Sequence, residues 1–440
     1  MRWYSQAGTP EVVASGRHDA RAKTYRLELA QTVPPTPGQP SKEPMVIPLA
    51  IGLVGCDGRD LPLSLAGGGK VERGVLVLDK AAQTFVFEHI DEAPVPSLNR
   101  GFSAPIKLIA NLSAEDLRFL AARDADPFNR WQAVQSLATR LLTDNVAALR
   151  TGAPVRNDPG LIDALRTVLA DGSLEDAFVA LVLTLPSDAD IAREIGRDVD
   201  PDAIFAARAE LRAAVGAQLA MSLAQRYHAL ADRSPYRPDA EGAGRRALRN
   251  TCLDLLVATR ASDAIALAAR QYQTADNMTD RMAALATLSL CEVPERAAAL
   301  DDFYARYADD PLIVDKWFSL QATIPAAGTL GRVKDLTAHP VFSFANPNRV
   351  RALIGAFAMS NQKEFNRADG AGYDFLVDTV FALDSKNPQV AARLLSALKS
   401  WRVLEPARRA LAEASLRRVA AQPSLSRDVN DIVERALAES

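Results

Sequence analysis

The feature that most constrains this chain is a change of hydrophobic period near Ser113. Before it, apolar residues recur at every second position; after it, they recur at spacings of three and four. No single element satisfies both periods, so the chain must build a β architecture first and a helical one second. In "KTYRLELAQTV", Tyr25, Leu27 and Leu29 alternate with Arg26 and Glu28, the pattern of a half-buried strand. The runs "MVIPLAIGLVGCDG", "GVLVLDK" and "QTFVFEH" follow, each bounded by Gly, Pro or Asp. Between the first strand and "MVIPLAIG" stands "VPPTPGQPSKEP", with five prolines from Pro34 to Pro44. Proline donates nothing to a sheet ladder, so this stretch is a loop. "LAGGGK", ending at Lys70, reads as a hairpin turn. About seven short strands at this spacing predict a small antiparallel β-sandwich over residues 1–108.

Residues 109–440 read as helix. "SAEDLRFLAARDA" offers Ser113 as N-cap with Asp116 three residues on. Roughly seventeen amphipathic segments follow, rich in Ala, Leu and Arg and punctuated by Pro, Gly and Asn/Asp. So many short helices do not fit one bundle, and a HEAT-like α-helical superhelix of stacked helix pairs is predicted. The fold class is therefore mostly α, with a small β-sandwich in front. One internal repeat agrees with it. "NPNRVRALIGAF" starts at Asn346 and "NPQVAARLLSAL" at Asn387, 41 residues later. Each begins with an Asn N-cap and a Pro at the first helical position. Leu353, Ile354, Ala356 and Phe357 then align with Leu394, Leu395, Ala397 and Leu398.

Composition narrows the function classes. A formal net charge of −3 gives no electrostatic footprint for nucleic acid. Cys56, Cys252 and Cys291 lie far apart and form no CxxC pair, which suits a reducing cytosol. No apolar run approaches the roughly 18 residues of a membrane span, and "MRWYSQAGTP" lacks the layout of a signal peptide. A cytoplasmic protein without nucleic-acid or membrane partners is the expectation.

No catalytic constellation is legible. His18, His89, His228 and His339 are scattered, with no HExxH and no i, i+4 pair that would aim two imidazoles at one zinc ion. His228 reads as a helix-surface residue and His339, directly before Pro340, as a loop residue. There is no G-x-S-x-G elbow, and "LAGGGK" lacks the spacing of a phosphate loop. "DADIAREIGRDVDPDA" has the acidic density of a solvated face and no calcium-loop glycine pattern.

What remains is a set of arginines. At 100° per residue, Val350, Leu353, Ile354 and Phe357 form the buried stripe of the repeat helix. Arg351 falls on one flank beside Gly355 and Ala358, and Arg349 on the other beside Ala352 and Ala356. In the later helix Gln389, Arg393 and Ser396 share a polar face beside the apolar stripe of Val390, Leu394, Leu398 and Trp401. Three uses are open to these arginines: pairing with carboxylates of a neighbouring helix, facing water, or forming a wall that binds a carboxylate or a peptide backbone. A planar guanidinium suits the last, and helix N-termini near Asn346 and Asn387 would add positive field.

Motifs along the whole length then point to one family. They are "WYSQAGTP", "QTFVFEHI", "PVPSLNRGFSAPIKL", "DPFNRWQAVQSL", "LRNTCLDLL", "NMTDRMAAL", "VDKWFSLQA", the stretch from Asn346 to Leu376, and "NPQVAARLL". In this order they resemble the C-terminal half of bacterial aminopeptidase N, the zinc metalloaminopeptidases of the gluzincin group. The resemblance implies a β-sandwich and a helical superhelix, the last two of four domains. The helical domain would cap an upstream catalytic domain and enclose a cavity for peptides. Positions matching Arg351, Gln389 and Arg393 would line that cavity and bind substrate, the arginines facing the C-terminal side of the peptide. The HExxH motif, its distal glutamate and the amine-binding motif have no counterpart here, so no catalytic residue and no metal ligand is expected in this chain. Zinc is expected only in the upstream domain. The opening "MRWYSQAGTP" reads as a cut at a domain boundary, in an engineered fragment or a split gene. From a different class, a free-standing helical-repeat scaffold that binds a protein partner fits the same periodicity.

Overall fold

The computed structural model describes residues 2–68, 71–231 and 236–438, so the turn expected at Lys70 lies outside the described residues. Eight strands come first: β1 (Glu11–Asp19), β2 (Thr24–Thr32), β3 (Ile47–Val54), β4 (Ser64–Leu65), β5 (Val75–Leu78), β6 (Ala82–Glu88), β7 (Val95–Leu98) and β8 (Lys107–Ala110). They form a five-stranded sheet, β4-β6-β2-β1-β8, and a three-stranded sheet, β5-β3-β7. Along β2, Tyr25, Leu27 and Leu29 point inward while Arg26 and Glu28 point to solvent, as the alternation predicts. They meet Met45, Ile47, Leu49 and Ile51 at β3 and Phe87 from β6 in one core. Gln31 takes the last inward position of β2 and is fully satisfied there. Its amide donates to Met45 O (2.8 Å) and Lys80 O (3.0 Å) and accepts from Met45 N–H (2.8 Å).

One edge departs from the expected antiparallel sandwich. β8 pairs with β1 in parallel, with Glu11 opposite Lys107. A hairpin would force the opposite direction, but β8 is reached from β7 in the other sheet, and no hairpin constrains it.

The change from strand to helix falls between Ala110 and Ala114. Ser113 caps the first long helix, Ala114–Arg123, through the expected box: Asp116 N–H donates to Ser113 Oγ (3.0 Å) and Ser113 N–H to Asp116 Oδ2 (2.9 Å). Twenty α-helical segments are described between Ala114 and Leu437. The excess over the periodicity count arises partly because residues 347–360 divide into three segments. Compactness divides the chain at other places: one unit is Met1–Arg140 with Asp158–Leu185, the other Leu141–Asn157 with Pro186–Ser440.

Within the second unit, consecutive helices pack on one another, and buried polar groups join them. Asn250 in Ala240–Ala258 donates to Asp280 Oδ1 (2.9 Å) in Met278–Ser289, and Gln271 from Ser262–Thr274 donates to Asn250 Oδ1 (2.7 Å). The Tyr227 hydroxyl donates to Gln271 Oε1 (2.9 Å). The polar residues of "LRNTCLDLL" and "NMTDRMAAL" therefore serve as one shared network among four helices.

The same unit brings distant chain together. Val199 N–H donates to Val403 O (2.8 Å) and Glu405 N–H to Val199 O (2.9 Å). Buried Arg408 donates to Asn366 O (2.5 Å), Glu405 (3.2 Å), Asp200 (3.5 Å) and Asp202, and Arg409 to Asp198 (2.6 Å). The acidic run "DADIAREIGRDVDPDA" keeps solvent access, with Asp202 exposed and Asp198 half-exposed, but it is also paired. Asp198, Asp200 and Asp202 pair with arginines about two hundred residues downstream, and Ser187 with Asp190 forms a capping box. Local charge density carries no record of such distant partners.

Candidate functional site

The repeat helix over residues 347–360 starts as its sequence demands. The Asn346 side chain accepts from Asn348 N–H (3.0 Å) and Arg349 N–H (3.4 Å), and Pro347 holds the first position, where no N–H is needed. Val350, Leu353, Ile354 and Phe357 are all buried, the predicted stripe. A π-helical turn over Arg351–Gly355 interrupts the α-helix, and periodicity gave no hint of it. Ala356 N–H reaches back to Arg351 O, and at this widened turn the Ser319 hydroxyl donates to Ala352 O (2.9 Å) from the neighbouring helix Pro311–Ala322. Such bulges are frequent at functional sites because they re-aim side chains.

The two arginines of the helix have opposite fates. Arg349 is buried, pairs with Asp315 (2.9 Å) and lies over the Phe318 ring, 5.5 Å from its centroid. Arg351 is exposed. Its neighbour in space is the second repeat helix, Pro388–Leu395, where Asn387 caps Val390 N–H (3.2 Å). Arg351, Gly355, Ala356, Met359 and Ser360 from the first helix and Val390, Arg393 and Leu394 from the second line one cleft of about 230 Å³. Arg393 is exposed as well, and among the described residues neither guanidinium has an ion pair or a hydrogen bond. Gln389 is exposed one turn before Arg393 on the same helix, outside the cleft lining, and the Ser396 hydroxyl is turned back onto Arg393 O (2.6 Å).

This arrangement can hold an anion or a polar backbone. Two unpaired guanidinium groups offer many donors, while Met359, Val390 and Leu394 give an apolar floor. Among the described residues, no three His, Cys, Asp or Glu side chains lie close enough to hold a metal ion.

The histidines take structural places. His228 is exposed beside the Tyr227 ring, 5.2 Å between centroids. His339 does lie in a turn, but its ring packs among Tyr304 (5.0 Å), Trp317 (5.4 Å) and Phe318 (6.0 Å). Burial, and then the nearby Arg349 charge, hold its pKa below the usual imidazole range. Its partners come from two other helices, so the sequence signal was only the adjacent Pro340.

With this geometry in view, comparison with known proteins is informative. Residues 114–438 match a family described as a domain of unknown function (DUF3458_C) with ARM repeats. The chain belongs to that family. Residues 8–111 match a companion domain of unknown function (DUF3458) with an Ig-like fold. Aminopeptidase N of Escherichia coli is 39% identical over 437 residues, covering 99% of this chain and 50% of that protein. The Haemophilus influenzae enzyme of the same name is 36% identical with the same coverage, and that of Caulobacter vibrioides is 39% identical, with 49% of its length covered. The chain thus spans about half the length of these relatives, and it corresponds to their C-terminal half. A crystal structure of Legionella pneumophila aminopeptidase A in complex with aspartic acid superposes with a TM-score of 0.84 at 27% identity, covering 99% of this chain and 49% of that one. The mostly helical fold with a small leading β-sandwich, expected from the change of period, is the fold of this family.

Proposed function

We propose that this chain is the non-catalytic half of an aminopeptidase that removes N-terminal residues from peptides. Its helical domain caps a zinc-bearing catalytic domain on the same polypeptide, and Arg351, Arg393 and Gln389 contact the bound peptide. The single observation that carries the reading is the unpaired state of two exposed arginines across one cleft. On the same helix Arg349 is taken up by Asp315; the two arginines of the cleft are left available. Zinc, when bound upstream, would supply the activated water. This chain's own residues would contribute binding: Arg351 and Arg393 donate to carbonyl or carboxylate oxygens on the C-terminal side of the peptide. Gln389 would extend that wall by one helical turn. The domain division at residues 1–108 and 109–440 is part of the proposal.

Kinetics of the full-length enzyme test it. Arg351→Ala should raise KM for peptides several-fold more than KM for aminoacyl amides, because only peptides are long enough to reach the cleft. Equal effects on both substrates would remove the assigned role. The coding sequence upstream tests the larger claim: a stop codon with no peptidase domain before it would favour the free-standing scaffold instead. Among the described residues no helix is long and apolar enough to cross a membrane. Among the described residues none of the three cysteines is in a disulfide; a cytoplasmic home is part of the proposal, and cell fractionation would check it.

A further inference from the structure

The β-sandwich unit holds a second cleft, unrelated to the arginine pair. It measures about 230 Å³ and is lined by β1 (Ser15, Gly16, His18), β2 (Tyr25), the segment leading into β7 (Pro94) and the first turn of Ala114–Arg123 (Asp116). Its shape depends on Gly16. A Cβ there would stand 1.8 Å from the Tyr25 hydroxyl oxygen, so only glycine lets the phenol lie across β1. Tyr25 is 4% exposed, yet among the described residues its hydroxyl has no hydrogen-bond partner. The ring is buried but the hydroxyl oxygen is not sealed off, so it is open to the cleft.

The groups around that hydroxyl are rich in acceptors. Asp116 uses one carboxylate oxygen, Oδ2, to cap Ser113 through its N–H (2.9 Å) and hydroxyl (2.7 Å); its other oxygen is not needed by the cap. His18 Nε2 lies 2.9 Å from Ile90 O, and since a carbonyl only accepts, Nε2 carries the proton. In the neutral ring Nδ1 is then an acceptor. Asn111 and Ser15 add further polar atoms, and no lysine or arginine lines the cleft. Burial and the Asp116 charge both push the Tyr25 phenol up in pKa, so it stays a neutral hydroxyl and its oxygen is free to accept. Leu27, Pro96, Leu98 and Leu112 add apolar atoms to an otherwise polar lining.

We infer that this cleft binds a small organic cation, an ammonium or guanidinium head on a short aliphatic stem. The head would lie between the Asp116 carboxylate and the Tyr25 hydroxyl, with the stem against the proline and leucine walls. A half-buried carboxylate and an unpaired phenol satisfy such a head and would repel an anion. The same chemistry is offered by a free amine and by the side chain of a polypeptide arginine.

Titration of the full chain with n-butylammonium, agmatine and uncharged n-butanol, followed by amide shifts in an NMR spectrum, tests the assignment. Both cations should give saturable shifts at residues 15–18, 25 and 111–116, and butanol none. Tyr25→Phe removes only the hydroxyl and Asp116→Asn only the charge. Each should weaken cation binding about tenfold (~1.4 kcal/mol in binding free energy). A Gly/Ser peptide with one central arginine distinguishes the sources: binding at least fivefold tighter than agmatine assigns the cleft to a polypeptide side chain, and weaker or equal binding to a free cation. Absence of saturable shifts, equal binding of butanol, or unchanged affinity in Tyr25→Phe would overturn the inference. Thermal unfolding of both variants confirms that a loss of binding is not a loss of fold.

Discussion

Arg408 and Arg351 show two uses that one helical domain makes of the same side chain. Arg408 is buried and spends its donors on Asn366 O, Glu405, Asp200 and Asp202. It ties residues near 200 to residues near 405, a contact that a simple one-dimensional stack of repeats lacks. Arg351 is exposed, and among the described residues its guanidinium has no partner. The difference lies in the supply of carboxylates. Asp198, Asp200 and Asp202 converge on the 404–409 segment, whereas the cleft of Arg351 and Arg393 is lined by Met359, Ser360, Val390 and Leu394 with no acid at all. A guanidinium that is already satisfied holds the fold; one that is left unsatisfied beside an apolar floor is available for a ligand.

The comparison is broken most forcefully at Arg408. Arg408→Ala leaves Asp200 and Glu405 without their cation and Asn366 O without its donor. Removing one member of a buried charge cluster costs about 3–5 kcal/mol, so a denaturant titration should show the largest loss of any arginine variant here. A change below about 1 kcal/mol, within the range of ordinary surface substitutions, would mean that the 198–202 and 403–409 segments hold together without it.

Arg349 is the intermediate case, two residues from Arg351 on the same helix. It has one carboxylate partner, Asp315, and the Phe318 ring. Arg349→Ala should cost about 2 kcal/mol in the same assay. Arg349→Lys should recover only part of it, since an ammonium lacks the flat fork that both pairs and stacks. Asp369 gives a smaller effect with a pH signature. A hydrogen bond from Arg367, and then the Ala371 N–H, hold its pKa down to about 2. An unfolded aspartate titrates near about 3.9. A lowered folded pKa stabilises the protein above that value, and the contribution is lost as pH falls from about 4 toward 2. Asp369→Asn should therefore lower stability at pH 7 and flatten its fall through that acid window. An unchanged acid profile would show that the Arg367 pair contributes nothing.

These contrasts also mark what was legible in the sequence. The strand alternation of Tyr25, Leu27 and Leu29, the Ser113 box, the Asn346 and Asn387 caps and the buried stripe of Val350, Leu353, Ile354 and Phe357 are local, and each is found as read. What periodicity missed depends on distant chain. It placed Arg349 and Arg351 symmetrically on two flanks, because the carboxylate that decides between them, Asp315, belongs to another helix. It missed the pairing of Asp198, Asp200 and Asp202, because Arg408 and Arg409 are far downstream. The parallel edge of β8 and the π turn at Arg351 likewise follow from tertiary routing, which leaves no local period.

The smallest expected effect on stability is the one that carries the functional reading. Arg351→Ala and Arg393→Ala remove exposed guanidinium groups that satisfy nothing in the fold, so each should shift unfolding free energy by no more than about 0.5 kcal/mol. The double variant should be additive, since the two share no hydrogen bond. Neutralising them should nevertheless abolish the local positive field, and that is measurable without any substrate: a short peptide with a free C-terminal carboxylate, titrated against the chain by calorimetry, should lose affinity on either substitution and more on both. The same peptide with an amidated C-terminus should bind the wild type more weakly and discriminate less among the variants. If instead either substitution costs several kcal/mol of stability, the arginine is structural like Arg408, and the distinction between the two regions collapses.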